Sequence, residues 1–300
     1  MKRISLVWLL ASILFTTVTS LPSYHRFHSR IVGGEDAVEG QFPYQASIRL
    51  LDNYHRCGGS ILNSRFILTA AHCTDGEMLV PSNLIAVVGA LYPLEGGYSM
   101  NVDRVVQHPE WDITVVANDI AMLRTAETIV YSDTVQPIAL PTHNIAIRAK
   151  VVMSGWGMTS VDGDVPNILQ FTESTTISND QCIQRLRGTM FENIIRDSIV
   201  CTTNRKNVGV CAADSGGPLV EVTRTGQKSL AGVISFGIPC AMNYPDGFTR
   251  VSYYLDWIHQ TMEEYRAISG EIGRFQSFAV AQHAHCRPQC SAELSANLPY

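Results

Sequence analysis

The stretch VCAADSGGPLV, Val210–Val220, places a single serine between an aspartate and two glycines. A serine hydroxyl is a poor nucleophile unless a base lies within hydrogen-bond reach, an acid orients that base, and donors face the charge that develops on the attacked carbonyl. Taken alone, the string is also compatible with an ordinary glycine turn. Whether Ser215 is a nucleophile therefore depends on a histidine and an aspartate in matching contexts.

Two other strings contain such candidates. LTAAHC places His72 after an apolar run that predicts a strand, and ANDIAML places Asp119 at the start of another apolar run. A carboxylate in that position needs partners to remain charged. Taken alone, a histidine after a strand is more often structural, and an aspartate that opens a strand is more often a turn residue. Only the combination with Ser215 indicates chemistry.

The composition is that of an ordinary globular protein. The 300 residues are 46% hydrophobic and 16% charged, with a net charge of −5. An acidic balance offers no electrostatic basis for binding nucleic acid. We therefore expect no nucleic-acid partner.

The N-terminal segment has the features of a secretory signal. Lys2 and Arg3 precede an apolar run, and Val18 and Ser20 lie at the spacing that a signal peptidase reads. The alternative, a membrane anchor, is disfavoured because the run is shorter than the ~20 residues that span a bilayer. We expect a signal peptide over residues 1–20, no membrane partner, and a secreted, extracellular protein.

The next part of the chain predicts an all-β fold. Between about Ile31 and Arg250, short β-branched and aromatic runs alternate with Gly, Pro, Asn and Asp, a pattern typical of barrels and sandwiches. One helix is predicted in SYYLDWIHQTMEEY, with Ser252 as its N-cap. Its buried face is expected to comprise Leu255, Trp257, Ile258, Thr261, Met262 and Tyr265. Residues 266–300 show no strong period and are assigned to a C-terminal extension.

Taken together in chain order, the strings resemble the trypsin/chymotrypsin family of serine endopeptidases. IVGG, CGGSIL, LTAAHC, NDIAML, SGWG, DSGGPL and GFTRVSYYLDWI all match, within about residues 31–265. The resemblance implies two six-stranded antiparallel β-barrels with a C-terminal helix and an active site in the cleft between the barrels. It also implies that His72 is the general base and then the general acid, that Asp119 orients it, and that Ser215 is the nucleophile.

The resemblance also implies activation by proteolysis. Residues 21–30 would form a propeptide, cleavage after Arg30 would free the amine of Ile31, and that amine would pair with Asp214. Removal of residues 1–30 takes away four of the 22 Lys and Arg and none of the 27 Asp and Glu, so the net charge becomes −9. Such a chain favours basic substrates at low salt.

The family pattern further implies three disulfides. The pairs are Cys57–Cys73, Cys182–Cys201 and Cys211–Cys240. Cys286 and Cys290 have no counterpart in the family. They are candidates to pair with each other or, with His283 and His285, to form a metal site, but we expect no metal and no cofactor.

The substrate pocket departs from the trypsin pattern. Its floor position is Gly209, where an Asp would imply a preference for Arg and Lys, whereas the string YPDGF puts Asp246 at a wall position that is usually Gly. Ser235 and Gly237 occupy the stretch that binds the substrate main chain. A Gly floor with an Asp wall resembles the brachyurin branch, the broad-specificity collagenolytic proteases. In the alternative, Asp246 points to solvent from a shifted loop.

A second departure is Ala213, at a position where the family has a Gly whose N–H joins that of Ser215 in the oxyanion hole. Two outcomes are open. The backbone keeps its shape at a cost of about 1–2 kcal/mol in strain, or the peptide flips and removes a donor. The first outcome is expected.

These features predict a secreted, zymogen-derived serine endopeptidase with broad or chymotrypsin/collagenase-like specificity. Its expected partners are protein or peptide substrates, an activating trypsin-like protease and protein protease inhibitors, and it is expected to be a monomer. The alternative is a catalytically weakened homologue that acts by binding, motivated by Ala213 and the C-terminal extension. A lipid esterase is excluded, because that fold has the chain order Ser, Asp, His and a Gly-x-Ser-x-Gly motif.

Overall fold

The structure is a computed structural model that describes residues 34–158, 166–203, 208–238 and 242–266. The predicted signal peptide, the propeptide and nearly all of the C-terminal extension lie outside these residues. So do Cys240, Cys286 and Cys290.

Six antiparallel strands close into a first barrel. They are β2 (Gln45–Leu50), β3 (His55–Ile61), β4 (Phe66–Thr69), β5 (Leu84–Val88), β6 (Tyr98–Gln107) and β7 (Ala121–Thr125). Their order around the barrel is β2-β3-β4-β7-β6-β5, and β5 pairs with β2 to close it. Closure leaves no unpaired strand edge in this half of the molecule.

Six further strands form a second closed barrel, with the short strand β1 (Glu35–Asp36) added to one of them. They are β8 (Lys150–Gly155), β9 (Gln170–Ile177), β10 (Ile199–Thr203), β11 (Pro218–Val222), β12 (Lys228–Phe236) and β13 (Asp246–Arg250). The order is β9-β10-β13-β12-β11-β8, and the pairing of β8 with β9 closes the barrel. The expected two-barrel, all-β fold is confirmed.

The long run GSILNSRFILTAAH, read from the sequence as one strand-like segment, forms two strands. β3 ends at Ile61 and β4 begins at Phe66. The turn between them is built on Asn63, whose Oδ1 accepts hydrogen bonds from the N–H groups of Arg65 and Phe66. Asn side chains favour such turns because they satisfy the backbone locally. The turn reverses the chain, so that β4 lies beside β3 on the way to His72.

One helix, α1 (Asn179–Leu186), was not predicted from the sequence. Ser178 caps it: its hydroxyl accepts from the N–H of Gln181, and the Gln181 side chain accepts from the N–H of Ser178. This reciprocal capping box is readable from Ser-x-x-Gln spacing. The helix carries Cys182, which forms a disulfide with Cys201 of β10.

The C-terminal helix, α2, comprises residues 255–266. The six residues assigned to its inner face are all buried or half-buried, so that prediction is confirmed. The predicted N-cap is wrong, because Ser252 lies in the preceding 3₁₀ turn Val251–Tyr253 and its hydroxyl donates to Asn144 Oδ1.

Within the described ranges, no helix is both long and apolar enough to cross a membrane.

The structure forms two of the implied disulfides, Cys57–Cys73 and Cys182–Cys201. Cys211 is also disulfide-bonded. Its implied partner lies outside the described residues, so the third pairing stays a prediction.

Candidate active site

His72 lies in a single 3₁₀ turn, His72–Thr74, just beyond the end of β4 at Thr69. The disulfide between Cys73 and Cys57 of β3 fixes this turn to the first barrel. The hydroxyl of Thr74 donates to Ala71 O at 2.8 Å and tightens the turn. The histidine is therefore presented from a rigid element, with its side chain 27% exposed.

The carboxylate of Asp119 contacts His72 at two points. Asp119 Oδ2 lies 2.8 Å from His72 Nδ1, and Asp119 Oδ1 accepts a hydrogen bond from the backbone N–H of His72 at 2.9 Å. Asp119 is 1% exposed. Two contacts from one buried carboxylate fix both the position of the residue and the orientation of the imidazole ring.

The second barrel holds Asp119 in place. The hydroxyl of Ser235, in β12, donates to Asp119 Oδ2 at 2.5 Å, and the hydroxyl of Thr249, in β13, donates to Asp119 O at 2.6 Å. The neighbouring Asn118 has a left-handed φ of 55° and accepts a hydrogen bond from Tyr254 at 2.9 Å. Side chains of one barrel thus satisfy a buried charge that belongs to the other.

These surroundings change the pKa of His72. Burial on its own lowers that pKa, but the hydrogen bond and charge of Asp119, together with the charge of Asp75, outweigh burial and raise the pKa above 6.5. The imidazolium form is therefore stabilised at this position, which suits a group that receives a proton during a reaction.

Ser215 lies in the loop before β11, where the two barrels meet. Gly58 of β3 donates its N–H to Ser215 O at 2.8 Å. The next residue, Gly216, has a φ of 77° and packs so closely on Thr69 and Ala70 that a Cβ there would collide with the Thr69 hydroxyl. This contact places Ser215 beside the segment that leads into His72. Between these two described residues, the structure shows no hydrogen bond from the Ser215 hydroxyl to the imidazole.

Asp214 is fully buried and faces two backbone donors. Its Oδ1 accepts from Gly157 N at 2.8 Å and its Oδ2 from Cys211 N at 3.0 Å. A Cβ on Gly155 or Gly157 would collide with the carboxylate, so the SGWG motif forms the niche that holds it. Burial raises the pKa of Asp214 to about 7 in spite of these hydrogen bonds. Ile31 and Arg30 lie outside the described residues.

Ala213 has a backbone conformation that glycine adopts more readily than alanine. Its φ is 72°, in the left-handed region that a Cβ disfavours. Its carbonyl oxygen lies 3.0 Å from Nε2 of His55. The φ angle agrees with the first of the two outcomes foreseen from the sequence, in which the backbone keeps its shape and carries the strain.

Asp246 lies inside the protein. It is the first residue of β13, it is 2% exposed, and its Oδ2 accepts a hydrogen bond from Val210 N at 3.1 Å. The alternative of a solvent-directed Asp246 is therefore wrong. A Cβ built on Gly237 would lie 3.0 Å from Asp246 Oδ1 and 3.4 Å from Val210 Cγ2. The carboxylate thus lies between Val210 and the end of β12, beside Gly237, another residue assigned to the pocket.

One wall of this region is aromatic, a feature that was not predicted from the sequence. Phe236 lies between Ser235 and Gly237, packs its ring against Gly247, and stacks on Phe191 with ring centroids 5.0 Å apart. A Cβ on Gly247 would collide with the ring. The Asp-Gly pair that begins β13 therefore combines a buried carboxylate with the space needed for the Phe236 ring.

One group of potential metal ligands lies at the site but does not fit a metal. Ligand atoms of Cys57, His72 and Cys73 lie within 4.8 Å of one another. The two sulfurs are joined in a disulfide, and metals bind the thiolate form. These residues are therefore unsuited to hold an ion.

Known proteins resemble this chain over most of its length. The sequence model of a family described as Trypsin matches residues 31–258. The chain is 38% identical over 239 residues to serine protease SP24D of Anopheles gambiae, a match that covers 79% of this chain and 83% of that protein. It is 37% identical to Trypsin-1 of Astacus astacus, over 76% of this chain and 98% of that protein. It is also 37% identical to Chymotrypsin-2 of Vespa crabro, over 77% and 99% of the two chains.

Proposed function

The chain belongs to the trypsin family and is a serine endopeptidase, and we propose that it cuts peptide bonds through an acyl-enzyme on Ser215. The observation that carries this assignment of residues is the pair of contacts between His72 and the buried Asp119. Together with Ser215 at the barrel junction, they supply the base, the orienting acid and the nucleophile that acyl transfer requires.

Asp119 sets the protonation pattern of the ring. An ionised carboxylate only accepts hydrogen bonds, so Nδ1 of His72 carries the proton that faces Asp119 Oδ2. Nε2 is then left unprotonated and takes the proton of the Ser215 hydroxyl as its oxygen attacks the substrate carbonyl. The imidazolium gives that proton to the leaving amine, and water releases the acyl group by the same steps in reverse order.

The N–H groups of Ala213 and Ser215 are proposed as the oxyanion hole. Such donors act on charge that develops only in the transition state, and the loss of one typically costs about 10²–10³ in kcat. The left-handed φ of Ala213 supports this role, because it is the conformation that glycine would provide there. The strain at Ala213 is the cost of keeping an alanine in that position.

The residues of the pocket support broad specificity, as in the brachyurin branch: more than one class of side chain would be accepted before the scissile bond. Gly209 leaves the floor without a charge, and Asp246 places a buried carboxylate beside Gly237 instead. An Arg or Lys side chain would supply a counter-charge, while the floor leaves room for large apolar side chains. Overall identity does not distinguish the two preferences, since a protein named trypsin and one named chymotrypsin are equally similar to this chain.

Secretion and activation are part of the same proposal. Residues 1–20 carry the features of a signal peptide, and a trypsin-like protease would cleave after Arg30 in SRIVGG. The amine freed on Ile31 would then pair with Asp214, a buried carboxylate that is costly to ionise without a cation. The mature protease would act as a monomer on protein or peptide substrates and be subject to protein protease inhibitors.

The direct test is hydrolysis of a peptide library by the chain processed at Arg30, with Ser215→Ala as the matched control. The proposal expects turnover that this substitution abolishes, with cleavage after Arg or Lys and also after Leu or Phe. Cleavage confined to Arg and Lys would contradict the pocket assignment. A processed wild-type chain that turns over nothing would instead favour the alternative, a homologue that acts by binding.

A further inference from the structure

Beneath the loop that carries Ala213, three buried side chains form a continuous line of hydrogen bonds. Arg49 Nε donates to Ser47 Oγ at 3.0 Å, Ser47 Oγ lies 2.8 Å from His55 Nδ1, and His55 Nε2 lies 3.0 Å from Ala213 O. Arg49, Ser47 and His55 are each no more than 2% exposed. The line begins in the first barrel and ends on the loop that precedes Ser215.

The chemistry of the groups fixes the direction of this line. A guanidinium N–H can only donate and a backbone carbonyl can only accept. Ser47 Oγ, which accepts from Arg49, has its own hydrogen left to donate to His55 Nδ1. That ring nitrogen must then be unprotonated, so the proton of the neutral ring resides on Nε2 and points at Ala213 O.

The ring of His55 is neutral at physiological pH. Burial above all, and the nearby charge of Arg49, lower its pKa to about 4 in spite of the hydrogen bond to Ala213 O. A neutral imidazole has two tautomers, and only the one protonated on Nε2 can donate to Ala213. Trp156 packs edge-on against the ring, with centroids 5.3 Å apart, and restricts its orientation.

Stability alone does not account for a charge at Arg49. Its Nη1 donates to Asn53 Oδ1 at 2.9 Å, while its Nη2 has no hydrogen-bond partner within the described part of the chain. A buried guanidinium with an unsatisfied N–H is costly, and an apolar side chain of similar volume is often no worse for stability. The presence of an arginine at position 49 is therefore not explained by packing.

We propose that Arg49 is a positioning residue for catalysis, which directs the hydrogen bonds from Ser47 through His55 to Ala213 and so holds the oxyanion loop in its left-handed conformation. The proposal rests on the function proposed above for that loop. An alanine at a φ of 72° is strained by about 1–2 kcal/mol, so without a tie on its carbonyl the loop would relax into other conformations. A glycine at this position would depend less on the hydrogen bond from His55, because it adopts a positive φ without strain.

The first test compares turnover in two backgrounds. Arg49→Met and Ser47→Ala are each expected to lower kcat about tenfold with little change in KM, because misplaced oxyanion donors act on the transition state. The double variant should be no worse than either single one, since both break the same line. In an Ala213→Gly background the same changes should lower kcat less than about twofold.

Arg65→Met is the matched control, because Arg65 is another hydrogen-bonded arginine of the first barrel and lies away from this loop. It is expected to leave kcat unchanged. Equal losses for Arg49→Met in the parent and in the Ala213→Gly background, or no loss in either, would overturn the proposal while leaving the endopeptidase function intact. A wild type without turnover would count against the proposed function instead.

The second test does not depend on activity. The ¹⁵N shifts of the His55 ring, assigned by comparison with His55→Gln, report which nitrogen carries the proton. The wild type should show the Nε2-protonated tautomer. Arg49→Met should raise the fraction of the Nδ1-protonated one, because Ser47 Oγ no longer accepts from Arg49 and can accept from Nδ1 instead, although Ala213 O still favours a proton on Nε2. A wild-type ring protonated on Nδ1, or a tautomer that Arg49→Met leaves unchanged, would show that Arg49 does not direct the line.

Discussion

His72 Nδ1 lies 2.8 Å from Asp119 Oδ2, and that same oxygen accepts the hydroxyl of Ser235 at 2.5 Å. The histidine and the aspartate belong to the first barrel, while the serine belongs to β12 of the second. The orientation of the imidazole therefore depends on how the two barrels dock. This arrangement explains why the site lies at their junction rather than within either barrel.

Replacing Asp119 with Asn should lower kcat by about 10⁴-fold, the size of this change in the triad of the family. An Asn amide can donate to the ring, so Nδ1 becomes an acceptor and Nε2 keeps its proton, which prevents it from acting as the base. Steady-state kinetics on a peptide amide measures the loss. A variant with more than a tenth of wild-type kcat would contradict the role of Asp119.

The pH dependence of kcat/KM should follow the ionisation of His72. The base must be neutral, so activity falls as the pH drops through its pKa, and the midpoint should lie above 6.5 because that pKa is raised. Asp75 contributes to the shift by its charge. Asp75→Asn should therefore move the midpoint to lower pH and leave the high-pH plateau nearly unchanged. A plateau that falls with an unmoved midpoint would mean that Asp75 acts structurally.

Asp214 should make the stability of the uncleaved chain depend on pH. An acid whose pKa rises on folding, here from 3.8 to about 7, binds its proton more tightly in the folded state. Its contribution is thus fully present below pH 3.8 and is lost as the pH rises to about 7, a change of about 4 kcal/mol.

The measurement is the Tm of Asp214→Asn minus that of the parent, in chains made inert by Arg30→Gln and Ser215→Ala. The difference should grow more positive between pH 4 and pH 8, since only the parent has an acid at this position. A difference that stays constant over this range would show that the carboxylate does not titrate there.

Asp246→Gly should reduce kcat/KM for Arg and Lys by about 10- to 100-fold and change cleavage after Leu or Phe far less, because only cationic side chains lose a charge partner. Asp246→Asn is the companion variant. It keeps an acceptor for Val210 N but removes the charge, so it should show the same selectivity with less structural disturbance. Equal losses for basic and apolar residues would place Asp246 outside the binding pocket.

The alternation of short strands with clear turn signals predicts an all-β fold. The resemblance to the family implies the two barrels and locates His72, Asp119 and Ser215. Helical spacing predicts the inner face of α2. The misassigned Ser252 cap is a local error, because the chain makes a 3₁₀ turn first and Ser252 binds Asn144 instead.

The line from Arg49 to Ala213 could not be read from the sequence. Its final contact joins residues 158 positions apart, and no local pattern distinguishes His55 from the other histidines. Arg49 lies in β2, whose other residues are apolar or small apart from Gln45. Arginine is rarely buried, so the burial of Arg49 follows from the closure of the barrel around it and not from its residue type. Long-range polar contacts of this kind become visible only in coordinates.

The proposed mechanism requires that His72 activates the hydroxyl of Ser215 as a nucleophile. Reaction of the chain processed at Arg30 with an organophosphorus fluoridate, followed by peptide mapping, tests it most directly. We expect one adduct per chain, on Ser215, that forms much more slowly in His72→Ala. An unmodified Ser215 in the processed protein, or labelling that is equally fast without His72, would contradict the account.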